Sequence, residues 1–318
     1  MASFWKGRGG GLASIVIATT LWGAVYPLSK WTVLYLLPWT VTLWRELVAI
    51  AFLVPVMAFG RQWRVARRDW GWLALAALLG HVISYGTLFG GSVLTDSTHT
   101  SLLAALSPLV MVILNWLVFR EPLLPLQWTA LAVGTAGLLL VVGPLNTALS
   151  PRVVWGDLLV AAYSVAYAGY SVVARLLTQR YPSLAVTAWS TVLGGGMVAP
   201  LALVSDGARA LQPAALTWPA LAYLGIAAGG VGAALWVKGI NQVDGGTSSV
   251  LYFIQVPIGV LGGWLFLGEK LGPLTLVGGA MIVAAGVLTS IRGSQPAAAS
   301  SLPASANNTA VALDGKGG

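Results

Sequence analysis

The stretch SLLAALSPLVMVILNWLVFREP, residues 101–122, returns in altered form as SVLYFIQVPIGVLGGWLFLGEK, residues 249–270. Pro108 falls opposite Pro257 at an offset of 149, and Glu121 opposite Glu269 at 148. Upstream, LWGAVYPLSK (21–30) matches AYAGYSVVAR (166–175), and VTLWR (41–45) matches VTAWS (186–190), both at an offset of 145. The register therefore drifts by only a few residues over each half. A hydrophobic unit carried twice is the sequence form of a repeat-built membrane transporter.

Composition sets the surroundings. Of 318 residues, 57% are hydrophobic and 8% charged, and the mean hydropathy is +0.83. Soluble domains carry roughly 25% charged residues, so this chain lacks the polar surface to cover itself in water. It reads as an all-α integral membrane protein. The net charge of +8 comes from 17 Lys and Arg scattered between apolar runs. That pattern suits contact with membrane lipid and not with nucleic acid, because no basic cluster lies on a soluble domain. With no cysteine and two histidines, His81 and His99, the chain offers little to a metal, and no cofactor is expected.

At about 20 apolar residues per crossing, ten spans fall at 12–30, 39–58, 70–91, 98–119, 125–143, 155–176, 184–204, 217–238, 246–267 and 273–291. The first, preceded by Lys6 and Arg8, lacks a small-x-small cleavage site and reads as a retained span. Residues 1–11 then form a cytoplasmic amino terminus, 12–143 and 155–291 the two five-span units, and 292–318 a disordered cytoplasmic tail. Orientation follows from basic residues. With the amino terminus cytoplasmic, the inner segments hold Lys6, Arg8, Arg61, Arg64, Arg67, Arg68, Arg120, Arg175, Arg180, Lys238, Arg292 and Lys316, twelve against Lys30, Arg152, Arg209 and Lys270 outside. Five spans is an odd number, so the second unit enters the membrane upside down. Ten transmembrane helices as two inverted five-helix repeats place a substrate site near the midplane, between the halves.

Several polar side chains inside spans are candidates for that site. Trp22 and Tyr26 share a face of span one, His81 and Tyr85 of span three, and Tyr163, Tyr167 and Tyr170 lie on span six. Tyr252 and Gln255 follow on span nine, after Ser248. Such groups require a partner or a wet cavity, and aromatic rings with a polar tip suit an amphipathic metabolite; packing between helices is the competing use of each tyrosine. Pro108 and Pro257 sit inside spans, where proline frees the carbonyl four residues back and bends the helix as a kink or hinge. Glu46 and His81 are candidates for proton coupling. Arg45 and Glu46, about 100° apart on one helix, are not expected to pair, and Arg45 is long enough to reach the headgroups. Lys30, Arg175 and Lys238 close spans and read as snorkelling helix ends, or as anion holders. Trp31, Trp39, Trp70, Trp72, Trp128, Trp155 and Trp218 lie near span ends, as interfacial anchors do. The glycines inside spans bring no P-loop lysine, so ATP-driven pumping is not supported.

The chain resembles the drug/metabolite transporter superfamily, and within it the EamA family, over about residues 12–291. The resemblance is carried by Trp22-Gly23, by Arg45, by the run from Ser101 to Pro108 with Glu121, and by the run from Ser248 to Pro257 with Glu269. It implies ten helices in inverted halves around a central cavity, and amino acids or related metabolites as substrates, often exported, as by exporters of the YddG type. Small multidrug resistance proteins use a carboxylate in their first helix, and span one here has none. The resulting expectation is a non-enzymatic secondary transporter or facilitator in the plasma (inner) membrane, with both termini cytoplasmic. The alternatives are a sugar-phosphate or nucleotide-sugar antiporter, which would turn Lys30, Arg175 or Lys238 into the cavity, and a membrane-embedded enzyme on lipid-linked substrate. Oligomeric state does not follow from the residues.

Overall fold

The computed structural model describes residues 7–60, 63–121, 123, 125–142 and 151–268, with 273, 277, 278, 280, 281, 284 and 285. Span ten, Glu269, Lys270 and the tail at 292–318 thus fall largely or wholly outside the described residues, as does the segment 143–150.

Hydrocarbon offers backbone groups no partners, so each apolar run satisfies them internally as a helix. The described residues are helical without a strand. The elements are α1 (Arg8–Gly23), α2 (Val25–Thr32), α3 (Pro38–Phe59), α4 (Trp70–Ala77), α5 (Ser84–Leu94), α6 (Ser97–Ala104), α7 (Ser107–Phe119), α8 (Pro125–Val142), α9 (Pro151–Thr178), α10 (Ser183–Asp206), α11 (Trp218–Ala222), α12 (Ala233–Ile240), α13 (Gly245–Leu251) and α14 (Gln255–Leu267). Some are halves of one rod. Among the described residues, seven rods are long and apolar enough to cross a membrane: Arg8–Thr32, Pro38–Phe59, Arg67–Leu94, Pro151–Thr178, Ser183–Leu211, Ala215–Ile240 and Gly245–Leu267. Spans four and five correspond to α6 with α7, and to α8.

The interruptions follow the sequence. α6 stops at Ala104, and α7 restarts with Pro108 in its first turn, where a missing N–H costs nothing. Span four is therefore interrupted between Ala104 and Ser107, beside the proline expected to mark a kink or hinge. Its counterpart tightens to a 3₁₀ turn at Tyr252–Ile254 just before Pro257. Spans three and eight each contain a π-helical stretch, Leu78–Ile83 and Tyr223–Gly232, at matching places in the two units. Pro55 in α3 and Pro200 in α10 are a further matched pair, at an offset of 145.

Polar contacts join elements at the two ends of the bundle. Arg8 meets Asp244 at 3.8 Å, Arg180 meets Asp69 at 2.9 Å and Arg175 meets Glu121 at 2.6 Å. Lys30 donates to the carbonyls of Ser92 (3.0 Å) and Thr95 (2.7 Å), the Thr95 hydroxyl donates to Asp157 (2.9 Å), and Thr40 donates to Asp206 (2.7 Å). Every one of these pairs joins residues that the span count places on the same side. Between the ends lies one apolar core drawn from both halves, including Ile15, Leu73, Phe89, Leu224 and Trp236. Phe59, Val204 and Phe266 turn outward as lipid-facing side chains do. Trp72, Trp128, Trp155 and Trp218 are exposed near helix ends, whereas Trp70 packs on Trp189 and Trp39 covers Gly86.

Close crossings need small residues, because dispersion drives helix association in lipid. At Gly194 in α10 an added Cβ would stand 2.4 Å from the His81 Cβ, whereas nothing lies within 4 Å of one at Gly196. Gly194→Ala is expected to destabilise by about 1–3 kcal/mol through overpacking. Gly196→Ala should be neutral or stabilising by up to about 1 kcal/mol. Thermal unfolding of the two variants in detergent checks the contrast.

Candidate functional site

Aromatic side chains from both halves converge in the middle of the bundle. Trp22 stands in the last turn of α1, and after the break at Ala24 follows α2, which carries Tyr26; α5 brings Tyr85, α9 brings Tyr163 and Tyr167, and α14 brings Gln255. These residues and Val25 line a cavity of about 10 Å³, room for about one water. Its walls are held by hydrogen bonds to one another and to the residues behind them. Trp22 Nε1 donates to the Ala228 carbonyl (3.0 Å), the Tyr26 hydroxyl donates to Gln255 Oε1 (2.5 Å), and the Tyr163 and Tyr252 hydroxyls stand 3.4 Å apart. Trp22 meets Tyr167 edge-on at 5.4 Å between ring centres and Trp236 at 5.3 Å, and Trp236 donates to Ser171 Oγ at 3.1 Å. The hydroxyl of Tyr167 is buried without a hydrogen-bond partner among the described residues.

Beside this chamber lies a buried charged cluster. Arg45 Nη1 bonds Glu46 Oε1, although the two are sequence neighbours. Glu46 is wholly buried and Arg45 is 2% exposed. This corrects both expectations for Arg45: it neither stands apart from Glu46 nor reaches the headgroups. Adjacent positions point about 100° apart, but the flexible arginine stem curls back to the carboxylate, which is wholly buried. The guanidinium lies 3.3 Å over the Tyr85 ring. The second carboxylate oxygen of Glu46 lies 3.0 Å from His81 Nδ1, and His81 Nε2 lies 3.4 Å from Ser190 Oγ on α10. Tyr85 thus separates the charges from the chamber.

Comparison with known proteins fits this architecture. The EamA-like transporter family matches residues 9–143 and again 154–291. The chain belongs to that family. An uncharacterized transporter, YyaM, of Bacillus subtilis (strain 168) is 24% identical over 272 residues, 84% of this chain and 88% of its own. A probable terminal-alkyne amino-acid exporter of Streptantibioticus cattleyicolor is 26% identical over 229 residues, 72% of this chain and 76% of its own. One solved crystal structure superposes with a TM-score of 0.76 at 21% identity, covering 92% of this chain and all of that one, which shows the shared fold.

Within this EamA-family bundle the sequence candidates separate into groups. Trp22, Tyr26, Tyr85, Tyr163, Tyr167 and Gln255 line the chamber, and Tyr252 supports it against Trp22 at 6.1 Å between ring centres. His81 instead joins the charged cluster, its ring 6.4 Å from that of Tyr85. Lys30 and Arg175 lie at opposite ends in the polar contacts already described; neither they nor Lys238 line the chamber. Trp236 and Ser190 were not singled out from the sequence. Ser190 had a signal, since it occupies the repeat position of Arg45; Trp236 had none beyond its burial. Among the described residues no three His, Asp or Glu converge as metal ligands would.

Removing one partner of a buried ion pair strands the other. Glu46→Ala is expected to cost about 3–5 kcal/mol, and the double variant Arg45→Met, Glu46→Ala should recover part of that loss. Unfolding of both proteins in detergent, compared with the parent, checks it.

Proposed function

We propose that this EamA-family transporter moves small amphipathic metabolites, amino acids first, by alternating access, and works as an exporter in the plasma (inner) membrane with both termini cytoplasmic. The observation that carries the reading is the chamber at the meeting of the two halves, lined by aromatic and neutral-polar side chains with Val25. Aromatic faces accept an apolar side chain or an ammonium group, while hydroxyl and amide groups orient the polar end. The unpartnered Tyr167 hydroxyl offers one such contact. The exporter of Streptantibioticus cattleyicolor supports the substrate class, and the twelve-to-four charge count supports the orientation. Lys30 and Arg175, engaged at the ends, weigh against a sugar-phosphate substrate.

At about 10 Å³ the chamber is closed around itself, whereas ligand sites run to about 300–1,000 Å³. Substrate entry therefore requires the halves to part, and the break before Pro108 and the 3₁₀ turn before Pro257 supply hinges for that movement. Purified protein in liposomes should exchange labelled leucine and phenylalanine across the membrane. Failure of both to cross would overturn the substrate assignment. Tyr167→Phe should leave thermal stability unchanged but weaken substrate binding about tenfold, as measured by titration calorimetry.

A further inference from the structure

The charged cluster has a hydrogen-bond arrangement that can take up an extra proton. A carboxylate only accepts, and Glu46 Oε2 faces His81 Nδ1 at 3.0 Å. A serine hydroxyl has one proton to give, and Ser190 directs its own to the Thr187 carbonyl at 2.9 Å. Its oxygen is then an acceptor for His81 Nε2 at 3.4 Å. Both ring nitrogens therefore face acceptors. A neutral ring with one N–H leaves one contact as lone pair against lone pair, whereas one additional proton fills both. The same bonds are filled if that proton sits on Glu46 and the ring donates to Ser190 alone, so it belongs to the pair. Without it, Ser190 must turn from Thr187 toward the ring.

The surroundings give this proton a defined setting. From α3 the pair meets Arg45, whose charge offsets that of Glu46, so the extra proton changes the cluster from neutral to singly positive. Tyr85 of α5 and Tyr170 of α9 face the ring at 6.4 and 5.8 Å between ring centres. α10 contributes only the Ser190 hydroxyl here, and α4 contributes no titratable group. Other titratable groups on the packed elements are engaged elsewhere: Tyr223 with the Leu21 carbonyl, Asp206 with Thr40, Asp157 with Thr95 and Arg175 with Glu121. Arg209 lines a hollow with Tyr35 at one end of the bundle. A physical path to the chamber exists, because Arg45 is stacked on Tyr85, and Tyr85 is one of the chamber walls. His81 also stands on a π-helical stretch, a form of helix concentrated at functional sites.

We propose that the Glu46–His81 pair is a proton-binding site and that this proton is coupled to transport. The inference rests on the transporter reading above, and two measurements keep the claims apart. The chain has only two histidines, so His99→Gln in the full-length protein leaves one ring for ¹⁵N NMR in nanodiscs. Between about pH 5 and pH 9 the set of protonated ring nitrogens should change. The pH of that change should move when leucine is added and in Ser190→Ala. A ring spectrum constant over that range overturns the proton site, whatever is transported. In liposomes, one pH unit should drive about tenfold accumulation of leucine on one side for one-to-one coupling. His81→Gln should lose this accumulation, and accumulation that persists in it overturns the coupling. If neither leucine nor phenylalanine crosses in the parent protein, the substrate assignment fails while the NMR titration still decides the proton site.

Discussion

Two opposite charges held at the centre of an apolar bundle, Arg45 and Glu46, constrain the helices around them. An ion left unpaired at that depth costs several kcal/mol, so each group must be met from every side that hydrocarbon would otherwise occupy. Glu46 is met by Arg45 and His81, and the guanidinium by the face of Tyr85. Helices close enough to make these contacts leave no room for side chains behind them. Gly225 and Gly229 lie against the Arg45 carbonyl and guanidinium, and Gly194 and Gly195 against His81 and the α3 side chains Glu46 and Ile50. The glycine-rich runs of spans seven and eight are thus complements of the charges on span two.

The duplication explains why such a cluster is possible. Arg45 and Ser190 occupy the same place in VTLWR and VTAWS, and α3 and α10 pack directly on each other. One copy supplies charge, and the other supplies a hydroxyl and bare backbone. The π-helical stretches repeat in the same way: Leu78–Ile83 packs on α10, and Tyr223–Gly232 packs on α3. Were the copies identical, like charges would face each other across the crossing. Divergence between the units is what makes the interface compatible with lipid.

What was legible in the sequence is what periodicity and composition encode. The apolar runs gave the rods, and four-residue spacing placed Trp22 with Tyr26 and Tyr163 with Tyr167 on common faces that do meet in one chamber. Side-chain reach was not legible. Adjacency suggested that Arg45 and Glu46 diverge, because helical geometry fixes Cβ directions but not the path of a long flexible stem in a dry environment. Pro108 marked a kink or hinge, but not its form: residues 105 and 106 leave the helix and place the proline in a new first turn. The π-helical turns carry no motif at all; they lie where spans three and eight pack against α10 and α3.

The contacts at the two ends share one element with the chamber. α9 is a continuous helix of 28 residues, without the break that divides span one. Near one end Asp157 accepts from Thr95; near the other Arg175 grips Glu121 through both guanidinium nitrogens and also reaches Asn115. Between them Tyr163 and Tyr167 form part of the chamber wall. Asp157 and Arg175 stand about 27 Å apart along the rod, close to the thickness of the hydrocarbon core. A continuous helix held by polar contacts near both ends fixes the height at which its tyrosines meet the chamber.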